Sequence, residues 1–259
     1  MPVAVPATGL QGKRVLVTGG TRGLGAAIAE HFAAAGSAVV VAARTQVPAP
    51  VGTFVAADLS TEGGARSLAA AVLDILGGID VLVDNAGSQR RVPDGVLAMT
   101  DDDWTGDISA NLLSAVRLDR ELLPTMIAQR SGVVVHIGSG AARLPQPAAL
   151  AYAAAKAALN AYSKGLANAM APHGIRVATV NPGVIETSGL TNRLAQVAAE
   201  SGIDIAQARR QQAELFKIPL GEFGTADDVA ELVTFLASPR ARYLTGTQFV
   251  IDGGYFPVV

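Results

Sequence analysis

Val15-Leu16-Val17-Thr18-Gly19-Gly20-Thr21-Arg22-Gly23-Leu24-Gly25 decides the fold: a short apolar strand, a glycine-rich turn, then an Ala-rich helical stretch from Leu24 to Ala35. Glycines let a backbone turn sharply and approach a pyrophosphate with no Cβ in the way. A helix starting at such a turn offers unpaired N–H groups and the positive end of its dipole to phosphate oxygens. The spacing G-x3-G-x-G differs from the G-x-G-x-x-G of the commonest dinucleotide folds, and such turns also serve tight packing alone. Its place after the first strand and before a helix points to a dinucleotide site. Gly19, Thr21, Arg22, Gly23, Leu24 and Gly25 are therefore candidate cofactor residues.

Outward from this turn, β-rich runs alternate with longer helical stretches. Ala38 to Ala43, Phe54-Val55-Ala56, Val81-Leu82-Val83, Val133 to Ile137, Val177 to Val180 and Gln248 to Ile251 read as further strands. Most are apolar at successive positions, as in a parallel sheet covered on both faces. Glu62 to Leu76, Asp102 to Gln129, Ala149 to Ala171 and Thr225 to Leu236 read as helices, with Thr100 and Thr225 placed as N-caps before acidic residues. Repeated β-α-β units predict an α/β Rossmann-type fold, a doubly wound seven-stranded parallel sheet flanked by helices. Residues 1–11 read as a mobile N-terminal arm and 12–259 as a single catalytic domain. Residues 187–219 form a helical insertion leaving the edge where ligands sit, placed to act as a substrate lid.

Composition agrees and excludes much else. Half of the 259 residues are hydrophobic and 16% are charged, which supports a large core. A net charge of -2 gives no electrostatic footprint for nucleic acid or an anionic membrane. There is no cysteine for disulfide or thiolate chemistry, and three scattered histidines argue against a His-rich metal site. The start of the chain lacks a basic region and an apolar core of signal-peptide type, and no apolar run reaches membrane-spanning length, so a cytoplasmic address is expected.

The second strand ends Ala42-Ala43-Arg44-Thr45, without the carboxylate that NAD-specific sites often place there. Arg44 suits bidentate recognition of a 2′-phosphate, and Arg22 can reach the same group from the glycine turn. NADP(H) is the expected cofactor, with NAD(H) the alternative.

Tyr152-Ala153-Ala154-Ala155-Lys156 puts a phenol and an ammonium at i and i+4 on one helix face. A nearby ammonium lowers a phenol's pKa towards the range useful for proton exchange with an alcohol. Ser139 ends the fifth strand, where its hydroxyl can donate to a substrate oxygen gaining negative charge. Asn111 interrupts a long helix, as a surface residue or as one that loosens the helix and frees a carbonyl to bind water.

The glycine turn, Asp84-Asn85-Ala86-Gly87, Asn111, Ser139, Tyr152, Lys156 and Asn181-Pro182-Gly183 together resemble the short-chain dehydrogenase/reductase family. Their order and spacing resemble its roughly 250-residue, 3-oxoacyl-carrier-protein reductase-like form from about Lys13 onward. Asp84 departs from the family's usual Asn-Asn-Ala-Gly. The resemblance implies hydride transfer between NADP(H) and a ketone or secondary alcohol. Tyr152 would be the general acid/base, Ser139 would polarise the substrate oxygen, and Lys156 would lower the tyrosine's pKa and bind the nicotinamide ribose. Asn111 would join Lys156 to a proton relay through a backbone-bound water. It also implies cofactor contacts from Asp58, Leu59, Asn85, Ala86, Gly87, Pro182, Gly183, Val184, Ile185 and Thr187; by sequence alone Asp58 and Thr187 read as cap or loop residues. Alternatives are an NAD(H)-dependent alcohol or polyol dehydrogenase, or lyase or epimerase chemistry on the same fold. A non-catalytic NADPH-binding regulator would tolerate loss of Tyr152, Lys156 or Ser139, and all are present.

His136 reads as a hydrogen-bonded core histidine, His173 as part of a helix end and Trp104 as a packing anchor. Arg90 and Arg91 read as a solvated loop, or as an attractant for an anionic substrate. The family pairs the Tyr152–Lys156 helix with its symmetry mate, and the apolar end Phe256-Pro257-Val258-Val259 suits a subunit contact. A homotetramer acting on a small carbonyl or alcohol is expected, with a dimer second.

Overall fold

The computed structural model describes residues 8–45, 51–186 and 188–256. Seven strands, β1 (Arg14–Thr18), β2 (Ala38–Ala43), β3 (Thr53–Ala56), β4 (Val81–Asp84), β5 (Gly132–Ile137), β6 (Ile175–Pro182) and β7 (Gln248–Ile251), form one sheet of order β3-β2-β1-β4-β5-β6-β7. Every pairing is parallel, as the continuous apolar runs predict. The order reverses between β1 and β4, which places the ligand crevice beyond their carboxyl ends.

Each sheet face has its own core. One gathers Val15, Val17, Val41, Val83 and Val135 with Ile28 and Phe32 of α1 (Gly23–Ala34) and Val229 and Val233 of α8 (Ala226–Ala237). The other gathers Leu16, Val40, Leu82 and Val134 with Leu68 and Val72 of α2 (Glu62–Leu76) and Leu118 and Leu122 of α4 (Ser114–Gln129). Alternate residues of a strand thus reach opposite cores, so the strands must be apolar throughout.

Helix ends follow local chemistry. Thr100 caps α3 (Asp101–Ile108) and Thr225 caps α8, each in a reciprocal capping box with the acid three residues on, as expected from the sequence. The single helix expected over Asp102 to Gln129 is instead α3 and α4 joined by a π-helical turn, Ser109–Leu113. The helix carrying Tyr152 is α5 (Leu150–Met170), and the insertion is two helices, α6 (Ser188–Ser201) and α7 (Ile205–Leu215). These have a small core of their own, with Leu194, Ala213, Ile218 and Phe223 packed against Val184 and Tyr255. Arg209 of α7 pairs with Glu186 at 2.7 Å and ties the insertion to the end of β6.

The N-terminal arm needs correction at its end. Leu10, placed in the mobile arm by the sequence reading, is buried in the core, its carbonyl accepting from Ser37 Oγ at 2.9 Å. Apolar burial and that bond fix the chain before residue 12; residues 1–7 lie outside the described residues.

At the opposite end of the sheet, Asp80 accepts from Arg14 N, Nε and Nη2 at 2.9, 2.9 and 3.0 Å. Burial pushes the Asp80 carboxyl up, but these bonds and the Arg14 charge outweigh it and hold it below its usual value. Its contribution is therefore present at neutral pH and is lost as pH falls through the folded-state value. Asp80→Asn is expected to cost about 1–3 kcal/mol at pH 7. Thermal melts of both proteins at neutral and acid pH check this, the gap narrowing in acid.

Candidate active site

The glycine turn and the start of α1 border a cleft of about 360 Å³ at the reversal between β1 and β4. Of the expected cofactor residues, Gly19, Thr21, Arg22, Leu24 and Gly25 line it from the turn. Arg44, Asp58 and Leu59 line it from β2 and β3, and Asn85, Ala86 and Gly87 from β4. The turn is fitted to close approach. Gly19 sits at φ 66°, and a Cβ on Gly25 would collide with the Gly19 carbonyl. Arg22, the N-cap of α1, makes no side-chain cap, so the helix end keeps its N–H groups for a ligand.

Cross-strand hydrogen bonds hold this turn against the next one. Thr18 Oγ1 accepts from Asn85 N at 3.0 Å and Ala86 N at 2.9 Å, while Asn85 Nδ2 donates to Thr18 O at 2.9 Å. Thr18, fully buried, was not singled out by sequence reasoning; its position before the glycines was the available signal. Asp58 accepts from Ser60 N in a turn ahead of α2, and Arg44 and Arg117 contribute to holding its carboxyl low. It therefore combines the local structural role with a place in the cleft.

Beyond the carboxyl ends of β4, β5 and β6 the four expected catalytic residues gather. Asn111 lies within the π-helical turn, 1% exposed, its Nδ2 donating to Ser88 O at 2.7 Å and Asp107 O at 2.9 Å. A Cβ on Gly87 would lie 2.6 Å from Asn111 Oδ1 and 3.5 Å from Lys156 Nζ, so Gly87 leaves room for both side chains over its backbone. Lys156 Nζ donates to Ile137 O at 2.8 Å and lies 5.9 Å from the centre of the Tyr152 ring. Ser139 is held in place by Asn181, whose Oδ1 accepts from Ser139 N at 3.0 Å.

Electrostatics here differ from the expectation that Lys156 sets the phenol low. Burial pushes the Tyr152 phenol above its ordinary value, a hydrogen bond with Ser139 pulls it back, and Asp107 adds to the rise. Burial likewise lowers the Lys156 ammonium to about 8, opposed by Asp84. With Nζ turned to the Ile137 carbonyl, desolvation is the dominant influence on both groups.

Pro182 ends β6 and Gly183, Val184 and Ile185 follow it; none of the four lines the glycine cleft. Gly183 N donates to Ile251 O at 2.9 Å, and Ile185 bridges Gly224 at the root of the α6–α7 insertion. Thr187 lies outside the described residues. Phe256, expected at a subunit contact, packs its ring within the subunit on Gly140, next to Ser139, and on Tyr255 at 5.0 Å, and is half-buried there; Pro257 to Val259 lie outside the described residues. Arg90 is paired with Asp103 at 2.9 Å, Trp104 is half-buried, and His136 is a fully buried, hydrogen-bonded core residue. Among the described residues no helix is long and apolar enough to cross a membrane.

The family model described as enoyl-(acyl carrier protein) reductase matches residues 19–256. The 3-oxoacyl-[acyl-carrier-protein] reductase FabG of Escherichia coli is 34% identical over 256 residues, covering 96% of this chain and 99% of that protein. The chain belongs to the short-chain dehydrogenase/reductase family. The FabG of Chlamydia pneumoniae is 36% identical over 261 residues, covering 95% of this chain and 97% of that protein. Among solved structures, L-sorbose reductase from Gluconobacter frateurii, complexed with NADPH and L-sorbose, superposes with a TM-score of 0.88 at 31% identity, covering 98% of this chain and all of that one. Aldohexose dehydrogenase from Thermoplasma acidophilum gives 0.85 at 28% identity, covering 98% of this chain and 99% of that one. This short-chain dehydrogenase/reductase is thus an oxidoreductase acting on carbonyl or hydroxyl groups, on the same single-domain Rossmann scaffold.

Proposed function

We propose that the protein reduces a ketone to a secondary alcohol, or runs the reverse reaction, with NADP(H) as its cofactor and Tyr152 as the general acid/base. The observation that carries this is the convergence of Ser139, Tyr152, Lys156 and Asn111 beyond the strand ends, beside a glycine cleft bearing two arginines. Bound NADPH would supply the hydride. The glycine turn and the end of α1 would hold its pyrophosphate, and Arg22 and Arg44 its 2′-phosphate. Both arginines line the cleft, and the sorbose reductase solved with NADPH lends support.

In the proposed reaction Ser139 donates a hydrogen bond to the carbonyl oxygen, and Tyr152 gives it a proton as it becomes an alkoxide. Lys156, as an ammonium, favours the phenolate left behind, and Asn111 holds the π-helical turn beside it. Pro182 to Ile185, with Thr187, would meet the nicotinamide end of the cofactor.

Initial rates of NADPH oxidation over a panel spanning a 3-oxoacyl thioester, ketoses and cyclic ketones test the reading. Turnover with none of them, by either dinucleotide, rejects it. Where the Lys156 ammonium is required, reduction should fall on the alkaline side with a limb near 8, the value burial gives that group. A flat rate from pH 7 to 10 would contradict this role.

Assembly is proposed as a homotetramer. Its support is the exposed row of small residues Ala154, Ala157, Ala161 and Gly165 along α5, which suits close approach of a symmetry-related helix. Sedimentation at micromolar concentration checks it, and a monomer would refute it.

A further inference from the structure

Lys156 Nζ donates to the carbonyl of Ile137, and the residue before it, His136, belongs to a buried polar cluster that the proposed reaction does not use. Asp84 closes β4 and its register partner on β5 is His136, so both side chains leave the same face of the sheet. Asp119 comes from α4 and Tyr162 from α5. Asp84, Asp119 and His136 are 6%, 0% and 0% exposed, with a carboxylate oxygen of each acid and a ring nitrogen of the histidine within 4.8 Å of one another.

The hydrogen bonds converge unevenly. Asp119 Oδ2 accepts from the Tyr162 hydroxyl at 2.9 Å and meets His136 Nε2 at 3.1 Å. Asp84 Oδ2, 3.7 Å from the same nitrogen, and Asp119 Oδ1 have no hydrogen-bond partner among the described residues. Two carboxylates side by side in a dry interior cannot both be ionised. One proton between them removes the repulsion and provides the hydrogen bond that the ionised pair cannot make.

We propose that Asp84 and Asp119 share one proton and one negative charge, and that this pair is the buried counter-charge holding Lys156 as an ammonium. Asp84 and Asp119 are then positioning residues, acting through Lys156. The consequence for catalysis rests on the function proposed above; the counter-charge itself does not.

The surrounding groups are consistent. From β4 the pair includes Asp84, from β5 it faces His136, from α4 it includes Asp119, and from α5 it faces Lys156 and Tyr162. Asp107 of α3 acts on Tyr152 instead. Burial first, then Asp119, push the Asp84 carboxyl well above the usual range, as expected of a carboxyl that shares a proton with its neighbour. Burial and Asp119 also push the Tyr162 phenol far up, which keeps it a donor. Of the two acids Asp84 opposes the burial that drives the Lys156 ammonium towards neutrality.

Moving the charge within the pair therefore has a sign. Asp84→Asn keeps a donor to Asp119 and confines the charge to Asp119, which is not among the groups acting on Lys156. Asp119→Asn confines it to Asp84, the acid that raises Lys156. Titration of the Lys156 ε-carbon by NMR on lysine-labelled protein, assigned by its disappearance in Lys156→Met, reads the ammonium without requiring turnover. The midpoint is expected to fall by about one pH unit in Asp84→Asn and to rise by about one in Asp119→Asn. Tyr162→Phe, which deletes one hydroxyl and one donor to Asp119, should shift it upward by less, and serves if either Asp variant fails to fold. The alkaline limb of reduction should move in the same directions. Shifts of the same sign in both Asp variants, no shift in the folded variants, or one equivalent of tightly bound divalent metal in the purified protein would overturn the proposal. A wild-type enzyme inert towards every carbonyl would reject the proposed function while leaving the NMR result to decide the counter-charge.

Discussion

Tyr152→Phe is expected to lower kcat for carbonyl reduction about 1,000-fold, while NADPH binds with little change and the melting temperature stays within about 2 °C of wild type. In the proposed reaction the phenol gives a proton to the substrate oxygen while Ser139 polarises it. Phenylalanine keeps the half-buried ring and its packing on α5, so the loss falls on chemistry and not on the fold. Fluorescence titration with NADPH and single-turnover kinetics separate the two effects. Activity within tenfold of wild type would remove Tyr152 from the mechanism.

Arg44→Asp is expected to reduce kcat/KM with NADPH about 10- to 100-fold and to raise it with NADH, since a charge-assisted contact to the 2′-phosphate becomes repulsion while the new carboxylate suits a ribose 2′-hydroxyl. Arg44 is exposed at the carboxyl end of β2 and lines the cleft, so the exchange disturbs no buried contact. Arg22→Ala should give a smaller loss in the same direction. Initial rates with both dinucleotides provide the measurement. Equal losses with NADPH and NADH would mean that Arg44 does not read the phosphate.

The elements that carry the fold were legible because their signals are local. The apolar runs and the glycine turn predict parallel strands around a crevice, and β1 through β7 occupy those runs. Thr100 and Thr225 were readable as caps because a cap and its acid lie three residues apart. The π-helical turn was half legible: Asn111 marked the place as a poor helix position, but its bond across to Ser88, 23 residues earlier, is visible only in the fold.

What escaped the sequence depends on register and distance along the chain. Asp84 stood out as a departure from a family motif and His136 as a core histidine. Their pairing follows only from the alignment of β4 with β5, and Asp119 joins them from a helix whose phase the π turn resets. Phe256 read as part of an apolar end suited to a subunit contact, and nothing near it in sequence shows that Gly140 leaves room for its ring. Lys156 read as a charge beside a phenol, but its depth of burial, which pushes both groups towards neutrality, is a property of the packed helix.

The central claim is that a hydride passes from the nicotinamide of NADPH to a carbonyl carbon held by Ser139 and Tyr152. Turnover of an accepted ketone with NADPH deuterated at the transferable position, followed by mass and NMR analysis of the product, tests it most directly. The account predicts one deuterium on the new carbinol carbon for each NADPH oxidised, and none formed above background by Tyr152→Phe. Product lacking that deuterium, or formed with the dinucleotide unchanged, would contradict it.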